Sequence, residues 1–243
     1  MERSLLHSLH LFLRSPSRFF EEHDPATTLP LAIGIVVTFS LALVLSVYFV
    51  ASVLGGTIEG TVTVDNPNRP PEWVCDGHTS GMHDASNCDE PETIERDGSE
   101  LFADAVTDYV GYAAILPFLM WVIGGLVLFA AGRLANGSPS LGGTFALAGW
   151  AAVPEFARLV AGLLAITVAL SDVTITQFEQ APDVIEVALA SVEPVLVLAT
   201  VATTIWQWAL LTGGVQQDAD LSRAAAGVAV GVPLVIVLLL SLA

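Results

Sequence analysis

Apolar residues run along this chain in long blocks, and the stretches between them are short or acidic. Ala26 to Ile58, Val110 to Gly132, Ala135 to Pro154, Pro194 to Gln217 and Ala224 to Ala243 carry almost no charge. Each reaches or exceeds the ~20 apolar residues that cross a bilayer as a helix. A helix buried in a soluble protein of this size is rarely so long and so apolar on every face. The pattern predicts an all-α membrane protein, a bundle of five transmembrane helices at Leu29–Gly55, Tyr109–Gly132, Leu141–Leu170, Val187–Thr212 and Ala224–Ala243. Residues 1–28 form a cytoplasmic amphipathic segment, 29–55 the first span, and 56–108 a long acidic extracytoplasmic loop. Residues 109–243 hold spans two to five, at about 109–132, 141–170, 187–212 and 224–243.

The amino-terminal segment has a different period. In MERSLLHSLHLFLRSPSRFFEEHDP, Leu5, Leu6, Leu9, Phe12 and Leu13 recur at helical spacing, while Arg3, Ser4, Ser8 and Arg14 are polar. That pattern predicts a short helix lying in the membrane interface, ended by Pro16, with Phe19 and Phe20 on a second turn. The turn-rich run Asn136 to Gly143 joins spans two and three, and Gly213 to Arg223 joins spans four and five. Asp220 or Ser222 is placed to cap the last helix. No inverted halves with matching broken helices stand out.

Charge adds orientation. The chain has 25 acidic residues against 8 basic ones, and all eight are arginine. Thirteen of the acids fall between Glu59 and Asp108, where only Arg69 and Arg96 oppose them. Such a loop repels nucleic acid and stays hydrated in strong salt. With no lysine and an isoelectric point near 4.3, the composition suggests a halophilic archaeal source. Five crossings put Arg3, Arg14, Arg18, Arg133 and Arg223 on one side and the two loop arginines on the other. The positive-inside rule then predicts a multi-pass protein of the plasma membrane, its N-terminus cytoplasmic and its C-terminus extracytoplasmic. The first apolar run is too long for a signal-peptide core and lacks an A-x-A cleavage site, so it is expected to remain as a span.

Polar residues inside the spans are the candidate site. Glu155 and Arg158 sit three apart near the middle of the third helix, on one face. A lone charge there costs on the order of 3 kcal/mol, and pairing lowers that cost. Pro154 frees the carbonyl of Trp150 as a further acceptor. Glu193, beside Pro194, is expected about 9 Å deep in the fourth helix, completing an intramembrane cluster of Glu155, Arg158 and Glu193. Gln207, between Trp206 and Trp208, falls nearer the cytoplasmic end. The cluster reads either as a packing device or as a polar path. Gly227 and Gly231 form a G-x-x-x-G on the last helix, a spacing that permits close helix approach, as in a homodimer. Catalytic signatures are missing: there is no H-E-x-x-H, no G-x-S-x-G and no phosphate-cradling loop, and all five histidines lie outside the spans.

Three stretches together carry a family resemblance. RSPSRFF (Arg14 to Phe20), shortly before the first span, resembles the proline–arginine–double-aromatic lead-in of the Yip (Ypt-interacting protein) family. GRLANGSPSLGGTFALAGWAAVP (Gly132 to Pro154) is similar to that family's glycine-rich inner loop and third helix, with Trp150 where tyrosine is more usual and Pro154 four positions on. LSRAAAGVAVGVPLVIVLLL (Leu221 to Leu240) resembles its closing helix. The resemblance leaves out the acidic loop. It implies an all-helical five-span protein with a cytoplasmic N-terminus. Eukaryotic members associate with small GTPases and vesicle-trafficking machinery, which a prokaryote lacks. What the resemblance implies here is therefore the class, a membrane-embedded adaptor or organiser.

The chain's two cysteines close the stretch CDGHTSGMHDASNC, with ligand-type spacing C-x2-H-x4-H-x4-C. Outside the cell, Cys75 and Cys88 are in a disulfide-permissive compartment, and closing this loop is worth about 3 kcal/mol in the chain-entropy model. Cys75, His78, His83 and Cys88 also have the donor types and the glycine-bearing turn that tetrahedral zinc needs. Both chemistries stay open on spacing alone. The preferred reading is a Yip-like adaptor acting by helix packing and partner recruitment, not an enzyme, with no cofactor unless zinc binds. Its partners are membrane lipid and a protein partner or second copy, not nucleic acid. The first alternative is a small-solute or ion transporter using Glu155, Arg158 and Glu193. A weaker one is an extracytoplasmic metal-binding or sensing protein.

Overall fold

The computed structural model describes residues 19, 20, 22–75 and 87–241. The interfacial helix expected from Leu5 to Leu13, and the candidate ligands His78 and His83, lie outside the described residues. Among the described residues, five helical stretches are long and apolar enough to cross a membrane: Pro25–Gly55, Gly98–Leu134, Leu141–Leu170, Glu193–Asp218 and Arg223–Leu240. The protein is an all-α multi-pass membrane protein. Its outer surface is aliphatic, as lipid contact requires: Leu41, Leu45, Val168 and Leu198 are all exposed.

A 3-10 turn, Pro25–Thr28, leads into the first span, α1 (Leu29–Gly55). The Asp24 carboxylate accepts from the Ala26 N–H at 2.9 Å and caps that turn. After α1 the chain forms an antiparallel hairpin, β1 (Thr61–Asp65) and β2 (Thr93–Asp97), with Thr61 opposite Asp97 and Asp65 opposite Thr93. The amphipathic helix α2 (Gly98–Thr107) follows, capped by Asp97, whose side chain accepts from Ser99 N–H at 2.8 Å. Hydrogen bonds from Ser99 hold the Asp97 carboxyl below the usual carboxylate range. The second span is α3 (Val110–Leu134).

The third span is two helices, α4 (Leu141–Trp150) and α5 (Ala152–Leu170), where one continuous helix was expected. Pro154 explains the break: it has no N–H for the Trp150 carbonyl, and its ring crowds that carbonyl. The fourth span also departs from the sequence pattern. Val187 belongs to a separate short helix, α6 (Ala181–Ala190), and the span itself is α7 (Glu193–Asp218), with Pro194 in its first turn. Proline is at home there and would break a helix passing through it. The expected loop from Gly213 is helical as far as Asp218. Span five is α8 (Arg223–Ser241), and Ser222 rather than Asp220 caps it, accepting from Ala225 N–H at 3.3 Å. Asp220, at φ 52°, makes the left-handed turn before it.

The described parts of the stretch expected as an acidic loop, residues 56–75 and 87–108, are thus largely folded. Ile58, Ile175 and Ala181 are buried together beneath Phe102 and Val184, a small apolar core outside the bundle. The Glu59 N–H donates to the Ile175 carbonyl at 2.9 Å, and the Ile175 N–H to Thr57 at 2.7 Å, tying the hairpin to the connection after α5.

Within the bundle, close approach depends on small residues, because lipid gives apolar side chains no reason to leave it for each other. A Cβ at Gly149 would fall 2.8 Å from Ala32 Cβ, and one at Gly214 would overlap the Leu147 side chain. On the face where the chain enters the first span, the Asp24 turn, the α3–α4 junction and the α7–α8 junction lie together. There the Ser138 N–H donates to the Ala219 carbonyl at 2.9 Å. Cysteine substituted at Asn136 is expected to react with a membrane-impermeant maleimide only after the membrane is opened, and cysteine at Glu90 in intact cells. The reverse pattern would invert the orientation drawn from the arginines.

Candidate functional site

The break between α4 and α5 sets the polar centre of the bundle. Glu155 lies in the first turn of α5 and Arg158 one turn on, with Arg158 Nη2 2.7 Å from Glu155 Oε2. Gln207 of α7 donates from Nε2 to Glu155 Oε1 at 2.7 Å and to the Ala151 carbonyl at 2.9 Å. Both carboxylate oxygens are therefore engaged, and the amide also serves a carbonyl at the break. The carbonyl used is that of Ala151, not Trp150 as the proline position suggested.

Glu193 is not part of this cluster. It is the exposed first residue of α7, 14 residues from Gln207, about 21 Å along the helix axis. The depth expected for it assumed a helix starting at Val187. Gln207, placed by the sequence only as a polar residue nearer the cytoplasmic end, takes its place.

Around this centre is a cavity of about 520 Å³ with walls from all five spans. Its lining is apolar, as at Phe39, Met120, Leu128, Leu211 and Leu234, apart from Glu155, Arg158 and Gln207 and the Trp121 indole. Trp121 turns its N–H away to the Phe145 carbonyl at 2.7 Å.

Toward the chain-entry face an aromatic seat joins the amino-terminal segment to the bundle. Phe19 and Phe20, both buried, meet Trp150 edge-on at ring-centroid distances of 5.2 and 6.3 Å. Trp150 Nε1 donates to Thr28 Oγ1 at 3.0 Å, and His23 stacks on Phe19 at 4.8 Å. The double aromatic before the first span and the tryptophan before Pro154, far apart in sequence, are one contact in the fold.

Away from the bundle, between β1 and β2 in sequence, Cys75 and Cys88 form a disulfide, with Cα atoms 5.6 Å apart. Both sulfurs are engaged in that bond, and the other two residues of the proposed zinc set, His78 and His83, lie outside the described residues. Intact mass should fall by two hydrogens relative to the reduced chain, with thiol reagents reacting only after reduction. Stoichiometric zinc and free thiols in protein purified without added metal would contradict the bond.

A family model, the Yip1 domain, matches residues 10–243. The chain belongs to the Yip1 domain family. No curated protein and no solved structure matches it. The match spans the acidic stretch at 56–108, which the motif resemblance had left aside.

The Yip1 domain here uses its G-x-x-x-G internally. A Cβ at Gly231 would lie 3.2 Å from Trp208 Nε1, which donates to the Gly227 carbonyl at 3.0 Å. The glycine notch of α8 therefore seats the Trp208 indole of α7. The sequence reading also missed Asp218. Its carboxylate accepts from Ser140 N–H at 3.1 Å and Ser140 Oγ at 2.7 Å, fastening the end of α7 to the start of α4. Gly143 makes room for it, because a Cβ there would overlap the Asp218 carboxylate.

Proposed function

We propose that this Yip1-domain protein is a membrane adaptor or organiser, working by helix packing and partner recruitment without catalysis. One observation carries the reading: several polar side chains inside the bundle join neighbouring helices. Ser40 donates to Ala114 across α1 and α3, Trp121 to Phe145 across α3 and α4, and Trp208 to Gly227 across α7 and α8. The Glu155–Arg158–Gln207 group joins α5 to α7 and neutralises its own charge. Such groups are costly in lipid, and those matched across a helix interface favour one packing of the helices over others.

The partner surface fitting this reading is the chain-entry face, where Phe19 and Phe20 fix the amino-terminal segment on Trp150. The arginine distribution supports a cytoplasmic place for that face, in the plasma membrane of a halophilic archaeon. The transporter alternative has the cavity in its favour, but walls this apolar suit a hydrated ion poorly.

A photo-cross-linking residue at Ser138, used in native membranes, tests recruitment. Discrete protein adducts are expected there, and loss of them on Phe19→Ala with Phe20→Ala. Yields no higher than from a cross-linker at lipid-facing Leu198 would overturn the proposal.

A further inference from the structure

The cavity around Glu155 and Arg158 is left unused by the scaffold reading, and its chemistry is specific. Its volume, about 520 Å³, lies inside the ~300–1,000 Å³ range of small-molecule sites, which are mostly apolar with a few convergent polar groups. Several wall residues on α3 and α8, including Leu116, Met120, Ile123 and Val237, are also well exposed. The cavity is therefore reached sideways, from the bilayer.

Its polar equipment has hydrogen-bond donors to spare. Glu155 has both oxygens engaged, by Arg158 and Gln207, and its side chain is only 18% exposed. Arg158 is 47% exposed, and a guanidinium's five N–H donors exceed what one carboxylate oxygen accepts. The cavity thus offers hydrogen-bond donors at a site of zero net charge. An anion would lose its hydration without gaining an uncompensated positive charge, and a cation would meet the guanidinium. Depth sharpens the choice. Arg158 is 17 residues from Leu141 and 12 from Leu170, about 26 and 18 Å along the helices. That is mid-bilayer, out of reach of a phospholipid headgroup held at the surface.

We infer that the cavity binds a neutral, lipid-soluble molecule with a hydrocarbon body and a carbonyl acceptor, which enters between α3 and α8 and docks on Arg158. The hydrocarbon fills the apolar walls, and the carbonyl oxygen accepts from the guanidinium. Two kinds of lipid carry such a group, ring ketones of quinones and ester carbonyls of acylglycerols, and the shared chemistry is what the site recognises. This inference is independent of the adaptor proposal.

The test uses the full-length protein in nanodiscs and a diacylglycerol carrying a diazirine in one acyl chain. Illumination should label the α3 wall between Leu116 and Val127, saturably. Decylubiquinone or dioctanoylglycerol should compete, and whichever does so identifies the source. Hexadecane, without an acceptor, and palmitate, with a charge, should compete at least about tenfold more weakly, as loss of one charge-assisted hydrogen bond predicts. Arg158→Met should reduce labelling by a similar factor, and Met120→Trp, which fills the cavity away from the ion pair, should abolish it. If Arg158→Met does not fold, Met120→Trp and the competitor series decide. Labelling that survives Met120→Trp, resists both carbonyl competitors, or yields equally to hexadecane or palmitate would overturn the inference.

Discussion

Arg158→Leu alone is expected to destabilise the protein by up to about 3 kcal/mol, because it leaves the largely buried Glu155 carboxylate without its cation while the half-exposed arginine itself is given up at less cost. Glu155 would then keep only the Gln207 amide in a region with little water. Replacing both Glu155 and Arg158 with leucine should be tolerated better than the arginine change alone, because no charge remains to be neutralised. Gln207 would still have the Ala151 carbonyl as a partner. Unfolding in detergent or by steric trapping gives the three values. Equal stability of all three variants with the parent would mean that the pair is solvated, and the packing account of the polar centre would fail.

The second large effect is at the α4–α7 joint. Alanine is the better helix former by about 1 kcal/mol at an unconstrained position, so Gly143→Ala would ordinarily stabilise. Here the added methyl occupies the place of the Asp218 carboxylate, and the expected result is a loss of about 2–3 kcal/mol. Asp218→Ala should cost about 1–3 kcal/mol by depriving Ser140 of its acceptor. The double variant should cost clearly less than the sum, since both changes cut the same link. Strict additivity would show that the two residues do not meet.

Spans were legible because a charge-free run of that length has few other physical explanations, and the i,i+3 spacing put Glu155 and Arg158 on one face before any coordinates. Helix ends were harder. The run before Glu193 is as apolar as a span, and only the proline at 194, read as a helix start, separates α6 from α7. That shift displaced Glu193 from the centre. Gln207 needed the relative rotation of two helices, which no single-chain pattern contains. The alternation in TVTVD signals a strand, but among so many acids it read as loop. Pairings such as Phe19 with Trp150, or Asp218 with Gly143, join residues over a hundred or several tens of positions apart, and only packing reveals them.

The central claim is that the bundle is a scaffold whose intramembrane charges are spent on packing, not a conduit. Ion flux across proteoliposomes containing the purified chain tests it most directly. The account predicts leakage no greater than that of protein-free vesicles, for the parent and for the folded Glu155→Leu/Arg158→Leu variant alike. A saturable flux in the parent, lost in that variant while it remains folded, would contradict it.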